Sequence, residues 1–124
     1  MPSGTYRDLK VWQQAIQLVL LVYAITKKFP KEETYGLVSQ MRRCAVSIPS
    51  NIAEGKGRST RRDMNVFLCH SRGSVHELET QLLIAQELGY LQPSDANRTM
   101  ALVGEVARML NGLIAFAGKS VPDA

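Results

Sequence analysis

Apolar residues return every three or four positions along four stretches of this chain, and proline or glycine punctuates the gaps between them. That spacing lines one face of a helix, whereas a half-buried strand would alternate with period two. No stretch alternates for long enough to read as a strand. The first stretch runs from about Asp8, a plausible N-cap, to Phe29. It carries two neighbouring stripes, Leu9, Trp12, Ile16, Val19 and Tyr23 beside Val11, Ala15, Leu18, Val22, Ile25 and Phe29. Pro30 closes it by disfavouring helical geometry at Phe29. The second stretch, about Glu32 to Glu54, places Leu37, Met41, Cys44, Ile48 and Ile52 on one face. Pro49 lies inside it, removing a backbone hydrogen bond and crowding the Ala45 carbonyl, so a kink or break is expected there. Gly55 and Gly57 end it.

The third stretch, about Arg61 to Leu88, opens on Thr60 and Asp63 in the spacing of a capping box. Its stripe is Met64, Leu68, Ser71, Val75, Leu78, Leu82 and Ala85. Gly73 in its middle suggests a close helix approach, and Gly89 is the C-cap. The fourth, about Ser94 to Phe116, carries Val103, Val106, Leu110 and Leu113, widened by Met100, Ala107 and Ile114. Short connections make neighbours antiparallel. The expected fold is all-α: an up-down-up-down four-helix bundle over residues 6–118, its second helix kinked at Pro49, with loose tails at 1–5 and 119–124.

The 124 residues, 45% of them hydrophobic, make about one domain with a core of its own, so no metal or disulfide staple is required. The longest unbroken apolar run, Leu18 to Ile25, is far short of the ~20 residues of a membrane span. No signal peptide is recognisable, and two cysteines cannot build a disulfide framework. A cytoplasmic protein with reduced Cys44 and Cys69 is expected.

Catalytic and metal-binding patterns are missing. Di-iron bundles use Glu-x-x-His, which is absent, and His70 and His76 do not share a helix face. The run GKGRST lacks the order of a phosphate-binding loop, and no strand precedes it. Neither a cofactor nor an enzymatic activity is implied. A hairpin turning near Gly57 would bring Cys44 and Cys69 close, where two small buried hydrophobes are a simpler reading than a redox pair.

Arg43, Ser47, Asn51 and Glu54 share one face of the second helix, with Ser71, Arg72, Ser74 and Glu77 at a similar level on the third. Buried polar groups are normally paired. The stripe therefore reads as a hydrogen-bonded network around Pro49, with Glu54 pairing to Arg43 or Arg72; a binding or catalytic cleft is the alternative. Arg43, Asn51 and Glu54 are expected to be buried.

In the up-down layout one end of the bundle gathers Arg7, Lys10, Lys56, Arg58, Arg61, Arg62 and Lys119 against Asp8, Glu54, Asp63 and Asp123. The opposite end mixes both signs. A net charge of +4 agrees with a partner rich in phosphate, although charge runs also serve only to solvate a surface. No aromatic residue interleaves the basic loop, so base stacking is not expected and sequence readout should be poor. The first helix has more apolar surface than a bundle core needs, extended by Leu20 and Leu21. The fourth has a similar excess at Leu102, Met109 and Phe116, and such patches mark interfaces. These residues are the expected contacts of a homo-oligomer.

The stretch QMRRCAVSIPSNIAEGKGR from Gln40, the later SRGSVHELETQL, and the earlier LKVWQQA and FPKEETYGL resemble the 23S rRNA intervening-sequence protein family over about Tyr6 to Leu91. The resemblance implies a cytosolic four-helix bundle without known enzymatic activity, some of whose members are encoded within inserts in large-subunit ribosomal RNA genes. Related members are accessory proteins of diversity-generating retroelements, basic pentamers that work with a reverse transcriptase and nucleic acid. RNA or DNA, a reverse transcriptase and four further copies of this chain are therefore the implied partners. A scaffold that binds no nucleic acid is the other reading.

Overall fold

The computed structural model describes residues 5–119, and four α-helices account for most of them: α1 (Lys10–Thr26), α2 (Leu37–Lys56), α3 (Arg61–Glu87) and α4 (Pro93–Lys119). No strand occurs among the described residues. Both expected tails fall largely outside that range.

The helices meet around a ring, α1 with α2, α2 with α3, α3 with α4 and α4 with α1, and among the described residues the diagonal pairs make no close backbone approach. Between α2 and α3, and between α3 and α4, partner numbers rise along one helix as they fall along the other. Cys44 meets Ser74, Ile48 meets Ser71 and Gly55 meets Met64. Arg42 reaches Thr26 across α1 and α2, while Arg72 reaches Asn111 and Gly118 meets Asn65 across α3 and α4. The stripes read from the period fill the centre. Leu18, Val22, Met41, Ile48, Ile52, Leu68, Leu78, Leu82, Val106 and Leu110 are essentially sealed from water. Burial of such side chains stabilises a fold by ~1.5–3 kcal/mol each.

The helix ends differ from the expected ones for local reasons. Asp8 is not the N-cap of α1: Tyr6–Asp8 form a one-turn helix, and Leu9 takes the cap position. Lys31–Glu33 form another, after which Glu33 Oε1 accepts the Leu37 N–H at 3.1 Å and starts α2 late. Tyr90 Oη donates to the other oxygen of Glu33 at 3.0 Å, tying this corner to the α3–α4 connection. Pro93 occupies the first turn of α4, where its missing N–H is harmless. By length and composition alone α4 could cross a membrane. Here Ala96, Val103, Val106, Leu110 and Ala117 face the core, and Arg98, Glu105 and Arg108 interrupt the apolar run.

Helix α2 is not broken at Pro49, which is buried within it. Side-chain donors crowd the carbonyls nearby. Ser47 donates to Cys44 O, Ser50 to Val46 O, Asn51 to Ser47 O and Ser71 of α3 to Ile48 O, at 2.6–2.9 Å. The close approach expected at Gly73 is also elsewhere. A Cβ on Gly73 would meet nothing within 4 Å, whereas one on Gly55 would lie 3.0 Å from Met64 O and 3.1 Å from Phe67 Cβ. Gly55 is where the backbones of α2 and α3 come together.

Candidate functional site

The loop between α2 and α3 and the first turn of α3 present Lys56, Arg58, Arg61 and Arg62 together. The turn is fixed by Gly57, whose N–H donates to Ala53 O, and by Thr60, whose hydroxyl accepts the Asp63 N–H at 3.1 Å. Lys56 is half-buried; Arg58, Arg61 and Arg62 are exposed. The segment Tyr6–Asp8 packs on α1 and α2 at the same end, adding exposed Arg7, with exposed Lys10 at the start of α1. The side chain of Lys119 and all of Asp123 lie outside the described residues. The α1 and α3 N-termini share this end with the α2 and α4 C-termini, so helix dipoles largely cancel and side chains must supply the field.

Two of these arginines lie over aromatic rings. The Arg58 guanidinium sits 4.4 Å from the centroid of Phe67, and that of Arg61 sits 4.9 Å from the centroid of Phe116. Arg7 stands more loosely over Tyr6, at 6.0 Å. Arg58 is also held at its edge by Glu54, 2.7 Å away. No aromatic interleaves the basic loop itself, but rings reach it from elsewhere: Phe67 from nearly two turns along α3, and Phe116 from α4. A concavity lined by Lys56, Arg58, Ser59, Thr60, Arg61, Met64 and Phe116 lies beside the two arginines. A second, lined by Tyr6, Ser50, Glu54, Gly57 and Arg58, adjoins it.

The polar network is smaller than expected and differently composed. Arg43, Glu54 and Glu77 are exposed, and Glu54 pairs with Arg58 rather than with Arg43 or Arg72. Short side chains occupy the seam instead. The Cys44 thiol donates to Ser74 O at 3.0 Å, the Ser47 and Ser74 hydroxyls stand 2.6 Å apart, and Ser71 is fully buried. Asn51 is half-buried. Shared helical spacing places residues on one side of a helix; it does not stop long charged side chains from reaching out to water. The arginine built into the packing is the neighbour of Arg43. Arg42 donates to Thr26 Oγ1 at 2.9 Å and to Tyr23 O, and lies 4.6 Å over the Tyr23 ring. Arg72 reaches Asn111 Oδ1 at 3.5 Å.

The thiols are unlike each other: Cys44 is buried and Cys69 half-buried. Burial, reinforced by the negative charge of Glu77, pushes the Cys44 thiol up to about 12. Cys69 is half-buried in a groove with Arg62, Asn65, Val66 and His70. Among the described residues no three His, Cys, Asp or Glu side chains cluster as metal ligands would.

On the α1–α4 face, Leu20 is 58% exposed, and Leu21 and Leu102 are half-buried beside it. With Gln17 and Ala101 they line a shallow groove flanked by Arg98 and Glu105. Met109 is half-buried and Phe116 exposed. The expected interface residues therefore split: Leu20, Leu21 and Leu102 form one patch, while Phe116 belongs to the basic end.

A family model described as 23S rRNA-intervening sequence protein matches residues 7–112. No curated protein matches the chain.

Proposed function

The chain belongs to the 23S rRNA-intervening sequence protein family, and on that footing we propose that it is a non-enzymatic, self-associating helical bundle that binds nucleic acid as a cytoplasmic accessory factor. The observation that carries the reading is the concentration of Arg7, Lys10, Lys56, Arg58, Arg61 and Arg62 at one end of a protein with a net charge of +4. The family's description names an RNA context and no catalytic activity. Binding is dominated by phosphate contacts, is weak, and tolerates changes of sequence. In this reading α4 is a bundle helix, no membrane is involved, and kinship with retroelement accessory proteins makes a reverse transcriptase the protein partner to look for.

The test is fluorescence anisotropy with labelled RNA and DNA over a range of salt. Affinity should fall on a log–log plot with a slope of roughly −0.9 per phosphate neutralised on duplex DNA. The triple variant Arg58→Ala, Arg61→Ala, Arg62→Ala removes charges at the exposed turn and start of α3, so the bundle should stay folded. Equal binding by parent and variant at low salt would reduce the basic end to a solvated surface.

The second reading, a scaffold without nucleic acid, is favoured by the Leu20–Leu21–Leu102 groove, which suits a second copy. The number five rests on the family resemblance. Light scattering at micromolar concentration should give a multiple of 13.8 kDa, falling towards one chain in Leu20→Glu with Leu102→Glu. A monomeric parent would remove self-association from the proposal.

A further inference from the structure

We propose that the basic end is built for single-stranded nucleic acid, with unpaired bases stacking on the guanidinium–ring plates Arg58–Phe67 and Arg61–Phe116. The inference rests on the nucleic-acid reading above and narrows its substrate class. A guanidinium laid on a phenyl ring has one face covered and the other available to a second flat group. Unpaired bases stack on such arginine planes as they do on aromatic side chains. In a duplex the base faces are already used by their neighbours.

The two arginines hold different positions electrostatically. One guanidinium nitrogen of Arg58 lies 2.7 Å from Glu54 Oε2, which offsets part of its charge and restrains the group. A side chain held that way is poorly suited to reading phosphate and well suited to presenting a flat face. Lys56 and Arg62 are left as the phosphate contacts beside it. Arg61 lies over Phe116, a residue 56% exposed, in the lining of the concavity that also holds Arg58. Two stacking plates flanking a basic hollow match the alternation of base and phosphate along a single strand. Tyr6, facing the adjoining hollow with Arg7 above it, extends the track past Arg58.

The experiment uses the full chain and four fluorescein-labelled probes of about 16 nucleotides: a mixed-sequence RNA, the same sequence as single-stranded DNA, its DNA duplex, and a strand of abasic spacers. The parent should bind the two base-bearing single strands roughly tenfold or more tighter than the abasic strand, and tighter than the duplex. Phe116→Leu removes an exposed ring, and Arg58→Lys keeps charge while losing the plane. Each should lose about fivefold on the base-bearing strands and leave the abasic strand unchanged. A gap between the RNA and DNA arms identifies which strand the site prefers. If the parent binds abasic and base-bearing strands equally, or the duplex as tightly as the single strands, stacking is overturned and the phosphate reading stands. If no probe binds at low salt, the nucleic-acid reading itself falls, and the stacking proposal with it.

Discussion

Alanine at Gly55 and alanine at Gly73 should change stability in opposite directions. Both glycines lie inside helices, and replacing glycine by alanine in a helix interior gains about 1 kcal/mol of intrinsic propensity. At Gly73 nothing lies within 4 Å of the new methyl group, so that gain should be realised in full. At Gly55 the methyl would meet Met64 O at 3.0 Å and Phe67 Cβ at 3.1 Å. Neither is the far end of a flexible side chain, so the Met64–Phe67 turn of α3 must give by a few tenths of an ångström. Forcing extra volume into a packed contact costs about 1–3 kcal/mol, and Gly55 gains less than a mid-helix residue because it sits in the last turn. The net loss should be about 1 kcal/mol, leaving the two variants roughly 2 kcal/mol apart. For a chain of this size that is about 6–10 °C in melting temperature by far-UV circular dichroism, read at one fixed protein concentration. A Gly55→Ala protein as stable as Gly73→Ala would refute the close contact at the loop end of the bundle.

Three further outcomes are expected. Because the Cys44 thiol is pushed up to about 12 when folded, the native state holds its proton more tightly than the unfolded chain does. That stability is complete below an unfolded value of about 9.0 and is lost as pH rises from there towards 12. Cys44→Ser keeps a donor for Ser74 O without a thiol, so urea midpoints should fall less between neutral and alkaline pH than in the parent; identical falls would deny the shift. With a thiol reagent under native conditions, the half-buried Cys69 should react well before Cys44, and comparable rates would contradict the burial of Cys44. Thr60→Ala removes the cap on Asp63 N–H and should cost about 1 kcal/mol in denaturant unfolding; an unchanged midpoint would show that the cap is idle.

The fold could be read from the sequence because its signals are local. Pro30, Gly57 and Gly89 lie at breaks between helices, Thr60 is a true cap, and of the two stripes on the first helix Val11, Ala15, Leu18, Val22, Ile25 and Phe29 are sealed, whereas Leu9, Trp12, Ile16 and Val19 are half-buried and Tyr23 is exposed. The site was less legible because its pairings are tertiary. Phe67 contacts Arg58 across a turn, and Phe116 is brought to Arg61 by a different helix. One signal was available: Phe67 falls outside the stripe of Met64, Leu68 and Ser71, so a large ring there had to serve something other than the core. Arg43 and Glu54 misled for the opposite reason, since spacing alone does not say how far a charged side chain extends. Gly73 was read as a contact because it lies in mid-helix, yet its neighbours Ser71 and Val75 point inward and it points out.

The ring of contacts has a kinetic consequence. Three of its four seams join helices adjacent in the chain and can form by short loop closures; the α1–α4 seam must bring together residues as distant as Lys28 and Asp95. Low contact order favours rapid assembly of the first three, and closure of the last carries the larger entropy of a long loop. That seam is also where Leu20 and Leu102 flank a groove at the surface. A second copy seated there would clamp the junction that opens most readily, so association and folding would be linked. The melting temperature would then rise with protein concentration by mass action.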